Sequence, residues 1–317
     1  MQVFRSLAEA GNELRGSALA IGNFDGVHKG HRRLFDTARA LARAGGGKAA
    51  VLTFEPHPGK VFSPELAPPL IATLPRKLQL LEEAGVDATI LQPFDREYAM
   101  TTAEQFVKEQ LVGTLGVADV VVGHDFTFGK GRVGTPSLLS SLAEGRLHVH
   151  VVPAVMEDGL VVSSSKIREL VLAGKIAAAT RLLGRPPILD GVVVPGRGRG
   201  RTIGFPTANL QPETELVPAT GVYAVRVAVE GIEGVFAGAA NIGVKPTFGE
   251  EEQTVEIHVI DQKLEIYGRK LAVAFLERLR GEARFESVEA LVEQIGKDVE
   301  AARALDAAAP PMLLYPV

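Results

Sequence analysis

The sequence predicts an α/β domain followed by an all-β domain closed by one helix, and three observations carry that reading. In the first half, short apolar runs alternate with amphipathic stretches, the pattern of a parallel sheet covered on both faces. Around Leu182-Leu183-Gly184-Arg185-Pro186-Pro187, Pro and Gly punctuate the chain, and short strands separated by Gly and Pro turns follow, as in a barrel or sandwich. Near the end, Val288, Leu291, Val292, Ile295, Val299 and Ala302 recur at helical spacing. A chain of 317 residues fits two domains at about 150 residues each, and the expected division is 1–182 and 183–317.

Taken in order, Ser17–Ile21 (SALAI) reads as a buried strand, and Leu34, Phe35, Ala38, Leu41 and Ala42 as one face of a helix that begins near His31. Gly45-Gly46-Gly47 stops that helix. Lys48–Phe54 is the next strand; Pro75–Gly85 is a helix with Pro at its start and Gly at its end. Ala88–Leu91 is a short strand, and Thr102 with Gln105 has capping-box spacing ahead of a helix carrying Phe106, Val107 and Leu111. Ala118–Val122 and His148–Pro153 complete the first set of strands. The second half contributes GVVVP, GVYAVRVAV, GVFAGAANIG, TVEIHVI and KLAVAFL.

Composition narrows the function class. Hydrophobic residues make up 46% and charged residues 23%, ordinary for a globular protein and unlike a disordered or collagenous chain. No apolar run approaches the ~20 residues that span a bilayer, and the start, MQVFRSLAEAGNEL, lacks the apolar core of a secretory signal, so a membrane is not expected as a partner. Zero Cys excludes disulfides, thiolate catalysis and Cys-based zinc sites, and fits a cytoplasmic protein. A net charge of -4 lacks the basic footprint of a nucleic-acid binder. Small-molecule chemistry remains.

Between the first strand and its helix lies Ile21-Gly22-Asn23-Phe24-Asp25-Gly26-Val27-His28-Lys29-Gly30-His31. That is the carboxyl end of a strand, where doubly wound sheets bind ligands. Its glycines allow close backbone approach, the helix start offers free N–H groups to phosphate, and His28 and His31 can donate to a phosphoryl oxygen. The plain alternative is a Gly-rich turn with two solvent histidines. Val162-Ser163-Ser164-Ser165-Lys166-Ile167-Arg168 sets three hydroxyls and two cations at another helix start, a second anion cradle or a set of capping serines. Thr53–Pro58 (TFEPHP) and Val122–Arg132 (VGHDFTFGKGR) each follow a strand and so emerge on the same edge. Phe126 and Phe128 are candidates to flank a planar ring, with core packing as the alternative.

These segments, GNFDGVHKGH, FEPHP, GHDFTFGKGR and VSSSKIR in that order, resemble the adenylyltransferase module of bacterial bifunctional riboflavin kinase/FAD synthetases. The resemblance implies a Rossmann-like nucleotidylyl transferase fold in which His28 and His31 contact ATP phosphates, with Asn23 and Asp25 in the same loop. Ser164, Ser165 and Arg168 would form the second phosphate motif, and His57, Asp125, Phe126 and Phe128 the flavin side. Asp125 stands where Asn is familiar in the family, and Ser165 where Thr is common. FMN would attack the α-phosphorus of ATP to give FAD and pyrophosphate.

The second half carries GVVVPGRGRGRTIGFPTANL, Gly191–Leu210. It matches neither the P-loop nor G-x-G-x-x-G, yet a Gly loop with Arg side chains can still wrap a triphosphate. Thr207 and Asn209, two residues apart on an extended backbone, face one side and offer oxygens suited to Mg2+. In TVEIHVI, Glu256 and His258 share the face opposite Val255, Ile257 and Val259, a polar face that otherwise simply meets water. PTAN, NIGVKPTFG, VEIH, IYG and RLR together resemble riboflavin kinase. That implies a six-stranded β-barrel with a C-terminal helix, Mg2+ held with ATP by Thr207 and Asn209, and Gly196 and Arg201 lining the ATP loop. Glu256 would be the base for the riboflavin 5′-hydroxyl, with Arg280 near the flavin. The expected reactions convert riboflavin and ATP to FMN and ADP, then FMN and ATP to FAD and pyrophosphate, with no tightly bound organic cofactor and no nucleic acid involved. The weighed alternatives are a nucleotidylyl transferase for another phosphorylated cofactor joined to a non-catalytic flavin-binding barrel, and a flavin-storing or RNA-binding regulator.

Overall fold

A computed structural model describes residues 1–196, 203–247, 250–262, 264–315 and 317. The chain divides into two compact units, Met1–Pro68 with Lys77–Ser163, and Pro69–Arg76 with Ser164–Val317.

In chain order the first unit carries β1 (Gln2–Phe4), α1 (Leu7–Ala10), β2 (Ala18–Ile21), α2 (Lys29–Gly45), β3 (Ala49–Glu55), α3 (Pro58–Phe62), α4 (Leu74–Glu83, its first turn in the second unit) and β4 (Ala88–Pro93). A π-helix (Gln105–Leu115), β5 (Asp119–Gly123), α5 (Pro136–Ala143), β6 (His148–Val152) and the two-residue strands β7 (Met156–Glu157) and β8 (Leu160–Val161) follow. The six long-range strands form one parallel sheet in the order β1-β4-β3-β2-β5-β6.

Strand alternation explains the layers. Leu19, Ile21, Ala50, Leu52, Val120 and Val122 point to a face covered by Leu7, Ala10, Phe106, Val107, Leu111, Leu115, Leu139 and Ala143. Their neighbours Ala18, Ala20, Ala49, Val51 and Val121 point the other way, under Leu34, Phe35, Ala38 and Ala42 of α2 and Leu80 and Leu81 of α4. Strands buried on both sides need continuous apolar runs, and that is what made them legible. Thr102 and Gln105 cap reciprocally at 3.1 and 3.0 Å, as their spacing predicts, but the helix they start widens into a π-helix. Gly46, at φ 73, ends α2 as expected. The helix starts at Lys29 rather than near His31, because His28 is its N-cap.

The second unit contains α6 (Ser164–Leu172), α7 (Ile176–Leu183), β9 (Ile188–Val194), β10 (Ala208–Pro212), β11 (Gly221–Val229), β12 (Ile232–Thr247), β13 (Glu250–Val259), β14 (Lys270–Arg280) and α8 (Val288–Ala308). The strands close into an antiparallel six-stranded barrel, β10-β13-β12-β11-β14-β9, with β9 pairing back to β10. Its interior is filled by alternate residues, Leu189, Val193, Leu210, Tyr223, Val225, Ile242, Val255, Ile257, Val273 and Phe275. Helices α6 and α7 group with the barrel rather than with the sheet: Ile176 is buried in the barrel core, and Gly174 has room for no side chain beside Arg278. Helix α8 lays Val299 and Ala302 on Ala224 and Ile260, but Val288, expected on that face, is 58% exposed. Arg226 fixes the far end of α8 through Asp306 at 2.6 Å and the carbonyls of Ala309 and Pro310 at 3.0 and 2.5 Å. Arg76 and Asp190 form a buried ion pair at 2.5 Å, and the Thr214 hydroxyl accepts from the Asp190 backbone N–H at 3.0 Å.

Candidate functional site

The strand order reverses at β2. From there the chain builds outward through β3 and β4 on one side and through β5 and β6 on the other. Such a switch point opens a crevice at the carboxyl edge of the sheet. The loop leaving β2 there is strained: Phe24, Gly26 and Val27 hold φ of 50, 80 and 41°. For Phe and β-branched Val that conformation costs about 1–3 kcal/mol each. Burial of both side chains beneath α2 holds them in place.

The strained loop delivers His28 to the N-cap of α2, where its Nδ1 accepts from the His31 N–H at 3.2 Å. In the neutral ring the proton therefore sits on Nε2. The imidazoles of His28 and His31 stack with centroids 3.5 Å apart, and the Phe24 ring meets His31 edge-on at 5.1 Å. A side chain at Gly30 would crowd the His28 ring at 3.0 Å, and the Val162 carbonyl is 3.4 Å from the same position. Two imidazoles thus stand side by side at the positive end of a 17-residue helix. Asp25 is buried in this loop, while Asn23 is exposed.

Sequence reasoning missed the group beneath the loop. Lys77 of α4 is 8% exposed, and its Nζ lies 3.4 Å from both the Asn23 carbonyl and the Thr53 hydroxyl. Thr53 itself donates to the Asn23 carbonyl at 3.0 Å, and Glu55 is 3.9 Å from the ammonium. Burial pushes the Lys77 pKa below its usual range, against the opposing pull of Glu55 and Asp25. Its only sequence signal was polar residue spacing in an amphipathic helix, which does not report burial.

The neighbouring loops emerge on the same edge. His57 caps α3, accepting from the Gly59 N–H at 3.1 Å. After β5, Asp125 is exposed, and the Phe126 and Phe128 rings stack at 5.6 Å. Phe128 belongs to the core, against Phe106 at 5.4 Å, with Phe126 partly buried on it. A second aromatic group went unread in the sequence: Phe54, Phe94 and Tyr98 meet at 5.6 to 6.2 Å, with Phe62 6.0 Å from Phe94. Beside it a cavity of about 470 Å³ is lined by Gln92, Pro93, Tyr98, Met100, Thr101 and Gln105, among others. Burial drives the Tyr98 pKa upward, and its hydroxyl donates to Gln110 at 2.8 Å.

In the second unit, Ser164 and Ser165 open α6 and Arg168 is buried, donating to the Pro69 carbonyl at 2.7 Å. Lys166 pairs with Glu169 at 2.6 Å.

On the barrel wall, strand register makes the site. Glu256 of β13 stands opposite Asn209 of β10 on one side and Asn241 of β12 on the other. Cross-strand partners share a face, so the three form one polar row on the outside of the barrel, while Val255 and Ile257 point inward. Thr207 precedes Asn209 at the mouth of β10. Gly196 closes over the row: a Cβ there would lie 1.7 Å from Asn209 Nδ2. His258, two residues along, bonds the Pro206 carbonyl at 2.8 Å. Arg201 lies outside the described residues. Arg280 is held by Asp298 of α8 at 2.8 Å, and Gln294 also donates to Asp298 at 2.9 Å.

The FAD synthetase family model matches residues 11–166, and the riboflavin kinase family model matches residues 183–305. The bifunctional riboflavin kinase/FMN adenylyltransferase of Pseudomonas fluorescens is 41% identical over 97% of this chain and 98% of its own. Its namesake in Escherichia coli K12 is 39% identical over 94% and 95%. A solved structure described as a macrolide-efflux protein from Streptococcus pneumoniae superposes with a TM-score of 0.86 at 33% identity, covering 95% of this chain and 98% of that one. Among the described residues of the present chain, no helix is long and apolar enough to cross a membrane. With both family models on one polypeptide and relatives matched nearly end to end, the chain belongs to the family of bifunctional riboflavin kinase/FMN adenylyltransferases.

Proposed function

We propose that this protein makes both flavin cofactors, phosphorylating riboflavin to FMN and adenylylating FMN to FAD. The observation that carries the reading is the match of an FAD synthetase model and a riboflavin kinase model to successive parts of one chain. The division of labour we assign is 1–182 for adenylyl transfer and 183–317 for phosphorylation, in the cytoplasm, a placement that the lack of Cys supports.

For adenylyl transfer, a phosphate oxygen of FMN attacks the α-phosphorus of ATP; the new O–P bond forms as the bond to pyrophosphate breaks. His28 and His31, paired at the start of α2, donate to the oxygens on which charge builds. Asn23 and Asp25 shape the loop, Ser164, Ser165 and Arg168 form the second phosphate cradle, and His57, Asp125, Phe126 and Phe128 serve the flavin side. The aromatic group around Tyr98 extends that side.

For phosphorylation, Glu256 takes the proton from the riboflavin 5′-hydroxyl as that oxygen attacks the γ-phosphorus and ADP leaves. The donor set fits Mg2+: Thr207 and Asn209 offer hard oxygens, and the bare backbone at Gly196 leaves Asn209 in a cradle that any Cβ would fill. Bound with ATP, the metal would neutralise phosphate charge. Gly196 and Arg201 belong to the ATP loop, and Arg280, anchored by Asp298, lies on the flavin side.

The test is a time course with riboflavin, ATP and Mg2+ in which FMN and FAD are resolved. FMN should rise first and FAD follow, with ADP and pyrophosphate released in turn. Flavin binding without either product would refute the reading.

A further inference from the structure

Lys77 is a buried cation that no phosphate motif includes. It sits 3.4 Å from the Asn23 carbonyl, which is the first link of the strained run that ends in His28. Thr53, fully buried on β3, holds the same carbonyl at 3.0 Å and shares the ammonium at 3.4 Å. The charged groups that face Lys77 are Glu55 from β3, at 3.9 Å, and Asp25 from the loop itself. Removing an ammonium from water is unfavourable, and an apolar residue would pack this helix position at less cost. What the ammonium supplies here is a charged donor to the carbonyl that leads into the run of positive φ values, in addition to the burial of Phe24 and Val27.

We propose that Lys77, with Thr53, is a positioning residue for adenylyl transfer: it clamps the Asn23 carbonyl so that the strained loop presents His28 and His31 in a single geometry. The proposal rests on the reading of that loop as the adenylyl-transfer site. The clamp acts through the loop and touches no reacting atom. A misplacement of about 1 Å at a reacting centre costs on the order of 100-fold in rate. Loss of the clamp is therefore expected to appear in turnover, with substrate affinity nearly kept.

The experiment is steady-state kinetics of the full-length Lys77→Met and Lys77→Arg variants with supplied FMN and ATP, and with riboflavin phosphorylation as the internal reference. For Lys77→Met, kcat of adenylyl transfer should fall about 10- to 100-fold, with KM for FMN and ATP within about threefold and phosphorylation unchanged. Lys77→Arg, which keeps the charge and the donors, should recover at least part of that loss. Hydrogen exchange should quicken at the amides of residues 23–28 while those of β2 and β3 keep their protection. If Lys77→Met loses both activities together, Thr53→Val decides, because it removes one hydroxyl of the same clamp: a smaller kcat loss confined to adenylyl transfer supports the proposal, and none overturns it. Wild-type kcat in Lys77→Met, or a loss carried by KM alone, also overturns it. His31→Ala separates the two failures. If that variant is inactive while Lys77→Met is normal, only the clamp is wrong; if His31→Ala is fully active, the site reading itself fails.

Discussion

The two regions proposed to handle phosphate reach a defined geometry by opposite routes. At the sheet edge, the imidazoles are carried by a loop with three positive φ values, held by core burial and by a lysine from a helix far along the chain. On the barrel wall, Asn241, Glu256 and Asn209 stand in register because three hydrogen-bonded strands set them there. A ladder site is fixed by its own backbone pairing, so its side chains should be replaceable one at a time. A strained-loop site depends on anchors outside the loop itself, so it should be sensitive to changes at a distance.

The largest expected effect lies on the barrel. Glu256→Gln keeps the strand pairing and removes the proposed base, so riboflavin phosphorylation should fall about 10²- to 10⁴-fold while adenylylation of supplied FMN persists. Next, His28→Ala or His31→Ala should cost adenylyl transfer about 10²- to 10³-fold, with phosphorylation intact. His28→Ala should do further damage by removing the N-cap of α2, worth about 1 kcal/mol, visible as a lower urea midpoint than His31→Ala.

How much of this the sequence disclosed follows from what each feature needs. The buried parallel strands were readable because both faces are apolar, and the candidate phosphate motifs stood out because Gly, His and Ser cluster next to strand ends. Strand β1 escaped notice because only Phe4 of its three residues is buried. Strand β10 was hidden between Pro206 and Pro212 and emerged only as the carrier of Asn209. The π-helix looked like any capped helix, since a capping box reports the start and not the winding. Val288 followed the period of α8 yet lies beyond the stretch that packs on Ala224 and Ile260. Lys77 and the row through Asn241 are tertiary: one depends on a loop more than fifty residues earlier, the other on strand register.

Two smaller effects sharpen the contrast. Gly196→Ala introduces a methyl where Asn209 Nδ2 already lies, so Asn209 must move. Phosphorylation should drop about 10- to 100-fold, with adenylyl transfer unaffected. The smallest effect is the pH dependence of stability at Lys77. Its pKa in the folded protein is below the unfolded value of 10.5, with Glu55 and Asp25 opposing the shift. Between those two values the unfolded chain binds the extra proton, so wild-type stability should rise with pH relative to Lys77→Met. Below the folded-state value the difference should level off. Urea midpoints for both proteins across the alkaline range measure it.

One mixing experiment bears most directly on the claim that a single chain houses two separate phosphate chemistries. His31→Ala and Glu256→Gln proteins are each incubated with riboflavin, ATP and Mg2+, alone and then together. Alone, His31→Ala should stop at FMN and Glu256→Gln should leave riboflavin untouched; combined, they should produce FAD after a lag in which FMN accumulates. FAD formed from riboflavin at the wild-type rate by either variant alone, or His31→Ala protein unable to make FMN, would contradict the account.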